Sequence, residues 1–245
     1  MERKKYQLIL FLLFFFVLSV KANYKAEVYK CYINNNMPKW KSIIDIMISV
    51  PNKNNEFRLE LANYQYGYVA WCIGNDKEDI AEKYLDEAEK NIDFLEKSNY
   101  NLSMVYAYKS AFYGFRMGIS KWKAPVLGPK SVDYAEKSMK ADPNNPYGFI
   151  QYANAQYYMP EVFGGSKTLA LNYYKKAKEL MEKNPGSISL NWNYLSLLTS
   201  ISQAFVDLNY LQSAKLYYEI ILQKEPNFQW VKNELYPQLL AKLKA

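Results

Sequence analysis

The sequence predicts an all-α fold, a superhelical stack of antiparallel helix pairs. Three observations carry that prediction. Apolar residues recur at spacings of three and four along most of the chain, the period of a helix with one buried face. Residues 195–227 read as two such helices joined by a turn at Leu208-Asn209. Leu198, Ile201 and Phe205 mark the first, and Ala214, Tyr217, Tyr218 and Ile221 mark the second, which stops at Pro226. An earlier helix pattern, 131–141, ends in Asp142-Pro143-Asn144-Asn145-Pro146, a run that stops one helix and starts another.

In chain order, residues 1–22 read as a secretory signal peptide. Arg3-Lys4-Lys5 precede a nearly pure apolar run, Leu8 to Val20, and Val20-Lys21-Ala22 offers small residues for cleavage before Asn23. As a helix that run rises roughly 20 Å, short of the ~30 Å hydrocarbon core; an uncleaved anchor is the alternative. The expectation is therefore an exported chain, periplasmic or extracellular, with no membrane span once cleaved. Residues 23–56 form an N-terminal helical cap: a short helix broken by Asn34-Asn35-Asn36, then a second opened by Pro38 in its first turn, where proline is tolerated. Helix pairs follow over 57–227. Phe57–Ile73 with Gly67, Ala70 and Gly74 faces 78–97, which carries Ala81, Leu85 and Ala88. Residues 102–118, with Ala107, Ala111, Gly114 and Gly118, precede a long loop at 119–130 and a helix at 131–141. Such stripes of small residues let helices approach closely. Residues 147–183 make a third pair around the turn Met159 to Ser166, and 195–227 lie in the fourth. Residues 228–245 form a C-terminal cap that Pro237 kinks or splits.

Residue for residue, the pair at 195–227 resembles the tetratricopeptide repeat (TPR), a helix–turn–helix unit of about 34 residues. Ser202 stands at the family's small position on helix A. Ala214, Tyr218 and Pro226 match the small, aromatic and proline positions of helix B, while Ile221 replaces the second small residue. The third pair matches through Ala170, Tyr173, Tyr174 and Ala177, and the 142–146 run matches the ending common in this family. The resemblance implies a TPR-like α-solenoid whose A helices line a concave surface. Mapped onto it, Tyr64, Tyr68, Trp71, Tyr108, Phe112, Arg116, Asn154, Tyr157, Tyr158 and Gln203 become a partner-binding groove, joined by Asp207. Filling of inter-helix gaps is the alternative for these rings. The long turns place Trp122, Lys123, Phe163 and Gly164 along one edge, where the rings either reach outward or plug gaps. The turn Pro160-Glu161-Val162-Phe163-Gly164-Gly165 resembles one in exported bacterial TPR-like proteins, among them the helical partner subunits of TRAP-type uptake systems.

Chemistry is constrained by what is missing. The chain has no histidine, the usual neutral-pH base and imidazole metal ligand. Its formal charge is +7; the first 22 residues carry +3 of it, leaving +4, too mild for a nucleic-acid binder. Gly128-Pro129-Lys130-Ser131 lacks the glycines of a phosphate loop. The acids on helix B faces alternate with lysines as on a solvated surface. Cys31 and Cys72 either pair as a disulfide, in an oxidising compartment, or sit as two buried thiols; no companion ligands make them a metal site. The expectation is a non-enzymatic scaffold without cofactor or metal, holding a protein or peptide of the cell envelope in its groove. The alternative is a small-molecule binding or transport-accessory protein, its ligand held between the long turns and the groove.

Overall fold

The computed structural model describes residues 24–244, so the signal-peptide reading lies outside the described residues. Among them there is no strand. The elements are α1 (Tyr24–Ile33), α2 (Met37–Ser49), α3 (Asn55–Ile73), α4 (Glu78–Lys97), α5 (Leu102–Ile119), α6 (Ala124–Ala141), α7 (Pro146–Tyr158), α8 (Lys167–Glu182), the single turn α9 (Pro185–Ile188), α10 (Trp192–Asp207), α11 (Leu211–Lys224) and α12 (Tyr236–Lys244). Three-residue 3₁₀ turns at Lys121–Lys123 and Glu161–Phe163 open the two long connections.

The helix ends are set by local chemistry. Asn36 accepts the Lys39 amide at 3.2 Å to start α2, and Asn54 accepts the Phe57 amide at 2.8 Å to start α3. Asn101 caps α5 in the same way, accepting the Met104 amide at 3.4 Å. In the 142–146 run, Asp142 accepts the Asn144 amide and Asn145 accepts the Tyr147 amide at 3.0 Å, while Asn145 also donates to Ser103 on α5. Helix α6 begins at Ala124, seven residues before the expected 131. Pro125 stands in its first turn, and Pro129 removes only the bond to the Pro125 carbonyl within that opening segment. At the C-terminus, a π turn at Val231–Leu235 runs directly into α12 and takes up the misfit of Pro237 without splitting the helix.

Pairs α3/α4, α5/α6, α7/α8 and α10/α11 stack in order, with α3 on α5 and α5 on α7. This is the all-α solenoid of antiparallel pairs. Its order changes at the fourth pair: α9 intervenes, and α10 packs mainly on α8 and α11, touching α7 only lightly. The buried residues accordingly form two clusters, one centred on α1–α5 and one on α7–α12. They are stitched together across the concave side. Tyr32 of α1 packs against Trp40, Trp192 and Phe228, Ile33 belongs to the second cluster and Trp192 to the first. Tyr29 donates to Glu225 at 2.9 Å. The N-terminal segment thus bridges the first cluster and the fourth helix pair.

Candidate functional site

That placement corrects much of the expected groove. Tyr64, Tyr68, Tyr108 and Phe112 are buried in the first cluster, where α2 and neighbouring helices cover the stripe. Trp40 donates its indole N–H to the Tyr64 carbonyl, and Tyr68 lies between Trp71 and Tyr84. Trp71 is half-buried beside Tyr68. Arg116 faces α4 instead of the concave side: it donates to Glu89 at 2.6 and 3.1 Å, to Glu82 at 3.4 Å and to Asp86. Three carboxylates take four of its five N–H donors, which turns the guanidinium toward α4 and away from a groove partner.

The remaining groove residues do converge, at the gap the fourth pair leaves beside α7. Asn154 accepts from Tyr174 at 2.6 Å and donates to Gln151 at 2.9 Å, beside a small pocket of ≈30 Å³ that Tyr66 and Ser196 also line. Further along, Tyr157, Tyr158, Gln203, Val206, Asp207, Tyr218, Leu235, Gln238, Leu239 and Lys242 line an open cleft of ≈220 Å³. Tyr157 is fixed in it, donating to Asp207 at 2.6 Å; Lys167 reaches the same carboxylate oxygen at 2.9 Å. Burial by itself would raise the Asp207 pKa. The hydrogen bonds from Tyr157 and Lys167, with the charges of Lys167 and Lys242, outweigh it and hold the carboxyl below its usual range. Burial, then Asp207, pushes the Tyr157 phenol above its ordinary value. A low-pKa carboxylate already holding two donors makes a poor proton acceptor. What the cleft offers is ring surface, apolar side chains and a lysine at the rim. The ring of Tyr158 stands edge-on to Tyr157 at 4.9 Å and is 76% exposed.

The contribution of Leu235 from the π turn and of Gln238, Leu239 and Lys242 from α12 is absent from the sequence reading, which treats that C-terminal stretch only as a cap. Its spacing of 235, 239 and 242 down one face was the available signal.

The edge residues reach outward. Trp122 is 80% and Phe163 76% exposed, and Lys123 lies 5.5 Å from the Trp122 ring centre. Neither ring plugs a gap. Gly164 adopts φ +93°, the left-handed region that glycine enters freely. Cys31 and Cys72 are both buried and unbridged in this structure. Among the described residues, no group of three or more His, Cys, Asp or Glu is arranged to hold a metal, and no helix is long and apolar enough to cross a membrane.

No family model and no curated protein matches the chain. Among solved structures it is similar to the HusA haemophore from Porphyromonas gingivalis, with a TM-score of 0.56 at 17% identity over 78% of this chain and 90% of that one. At that identity the likeness speaks for the fold.

Proposed function

We propose that this chain is an exported, non-enzymatic binding protein that takes a small ligand with flat apolar rings and an acidic group in the cleft between α7, α10 and α12. The observation that carries the reading is the convergence of Tyr157, Tyr158 and Tyr218 with Lys242 where the stack opens. Export rests on Arg3-Lys4-Lys5 and the apolar run after them. A haem-like tetrapyrrole suits this ligand class, and the similar solved structure is a haemophore. The cleft volume of ≈220 Å³ falls below the roughly 300–1,000 Å³ that enclose a drug-sized ligand. Such a molecule would enter by one edge and lie against the exposed Tyr158 ring. With no histidine in the chain, an iron centre would meet the Tyr158 phenol, since Tyr157 is held by Asp207. A transport-accessory role, as the resemblance to TRAP partner subunits suggests, is the same reading placed inside an uptake system.

Titration with haemin and with metal-free protoporphyrin, followed by absorbance and tryptophan quenching, tests it. Both are expected to bind, with Tyr158→Ala and Lys242→Ala each weakening the affinity about tenfold, the loss of one well-placed contact of about 1.4 kcal/mol. No binding of either compound, or binding indifferent to both substitutions, overturns the reading. The scaffold alternative has lost its concave anchors Tyr64, Tyr68, Tyr108 and Phe112 to the core; a peptide partner captured in an envelope pull-down and released by Asn154→Ala or Gln203→Ala would restore it.

A further inference from the structure

We propose that the end of the stack bearing the long turns is a docking surface for an anionic lipid bilayer. The A helices of successive pairs run the same way, so their C-terminal ends share one end of the stack. Contacts bear this out: a Cβ on Gly118 would lie 3.2 Å from the Ile73 side chain, and Tyr157 bonds Asp207. From that end project Trp122, Val126, Val162, Phe163 and Tyr210, all exposed, Val162 by 85%.

Their exposure is built in. The third turn is fixed by Phe163 and Gly165 amides donating to the Pro160 carbonyl at 2.9 and 3.2 Å, and by the Ser166 amide donating to Gln156 at 3.0 Å. Val162 and Phe163 are held out in water by a hydrogen-bonded turn, an unfavourable arrangement unless something apolar receives them. The second turn supplies the charge. Residues 119–132 contain Lys121, Lys123 and Lys130 and no acid, with Trp122 between two of the lysines. An amphipathic indole flanked by ammonium groups suits the headgroup boundary of a negatively charged leaflet. Lysines beside an exposed indole favour an anionic lipid surface over a protein face, whose core is depleted of lysine. None of them lines the cleft, so this proposal and the ligand reading fail independently.

The test is sedimentation of the chain from Asn23 onward, which carries every described helix, with vesicles of phosphatidylcholine alone or mixed equally with phosphatidylglycerol. Leaving off Leu8–Val20 removes a segment that would itself enter lipid. The chain is expected to partition to the anionic vesicles, and more weakly as salt is added. A basic side chain at such a surface contributes about fivefold, so Lys121→Ala with Lys123→Ala should lower partitioning about 30-fold. Trp122→Ala with Phe163→Ala should lower it on both vesicle types; all four positions are exposed or edge sites, and circular dichroism checks the fold. Absence of binding to anionic vesicles, or partitioning unchanged in the Trp122/Phe163 variant, overturns the proposal. Loss of a protein partner in that variant, with vesicle binding intact, would reassign the edge to a protein interface.

Discussion

Trp192 donates its indole N–H to the side-chain carbonyl of Asn63 at 3.0 Å, across 129 residues of chain, and so ties the fourth helix pair to the first. The same ring stands edge-on to Trp40 at 5.2 Å and meets Tyr32 at 5.7 Å. A solenoid held only by nearest neighbours would tolerate loss of one interface by local melting. This one is closed across its concave side, so the junction should be felt everywhere. Trp192→Ala is expected to cost about 3–5 kcal/mol, as for other large-to-small core changes, and to lower the urea midpoint of a single transition seen by both far-ultraviolet circular dichroism and tyrosine fluorescence. Two separated transitions in the unsubstituted chain would mean the ends are not coupled.

Gly67 meets that junction from the other side. A Cβ there would come within 2.7 Å of both the Trp192 and the Trp40 ring. Both rings are buried and cannot swing away, so Gly67→Ala is expected to destabilise by about 1–3 kcal/mol. Gly114, also within an A helix, would meet nothing within 4 Å. There the higher helix propensity of alanine should prevail, and Gly114→Ala is expected to stabilise by up to about 1 kcal/mol. Thermal melts of the two variants should move in opposite directions.

The third A–B turn separates two glycines by physics. At Gly165 a Cβ would fall 1.8 Å from the Met159 backbone oxygen, whereas at Gly164 the space is open and only the positive φ matters. Gly164→Ala should cost about 1–2 kcal/mol through backbone strain alone. Gly165→Ala should prevent the turn from closing and free its backbone, so that chymotrypsin can seat the already exposed Phe163. Faster cleavage after Phe163 in the Gly165 variant than in the Gly164 variant is the expected outcome.

Much of the fold was legible because its signals are local. Asn36, Asn101 and the 142–146 run announce helix ends by side-chain hydrogen bonds within two or three residues, and the sequence carries them openly. Of the small stripe only Gly67 is crowded, and by the Trp192 and Trp40 rings; Ala70 is exposed and Gly74 meets only its own helix, and nothing nearby in sequence names Trp192 as the approaching group. The groove failed for that reason. A ring at helical spacing looks the same whether it faces a partner or a distant helix of the same chain; Trp40 of α2 decided the matter for Tyr64, and Asn63, Tyr66 and Tyr147 decided it for Tyr108. Tyr157, Tyr158 and Gln203 stayed available because α9 displaces the fourth pair from α7, an effect of an inserted turn that periodicity does not register. The outward reach of Trp122 was likewise set by α6 starting early, through two prolines that read as loop.

The buried thiols have a chemical signature. Burial pushes both Cys31 and Cys72 up to about 11, so little thiolate exists near neutral pH. In the native chain both should react with a disulfide reagent orders of magnitude more slowly than in urea. Prompt native labelling at pH 8 would show that the first cluster opens readily.

Tyrosine sets the alkaline limit of stability. The chain has 24 tyrosines. Burial raises Tyr147 and Tyr218 to about 12, and pushes Tyr108 and Tyr174 well above the ordinary value. A raised folded-state pKa means that the native chain holds its phenolic protons while the unfolded chain releases them from about pH 10. Their contribution is therefore complete below pH 10 and is lost as pH climbs through the interval between the two values, by up to about 1.4 kcal/mol per pH unit for each such group. At the acid end the sign reverses. Asp207, Asp45 and Glu182 are each pulled upward by burial but held below their usual values by hydrogen-bonded lysine and tyrosine partners. Their contribution is complete above the ordinary carboxylate range and is lost as pH falls below about 4. Urea midpoints measured from pH 3 to 11 should form a plateau across neutrality, with the alkaline edge much the steeper and coincident with a cooperative rise in phenolate absorbance. Gradual phenolate formation near pH 10 in a chain that keeps its helical signal would mean that these rings are open to solvent, and the closed core would have to be abandoned.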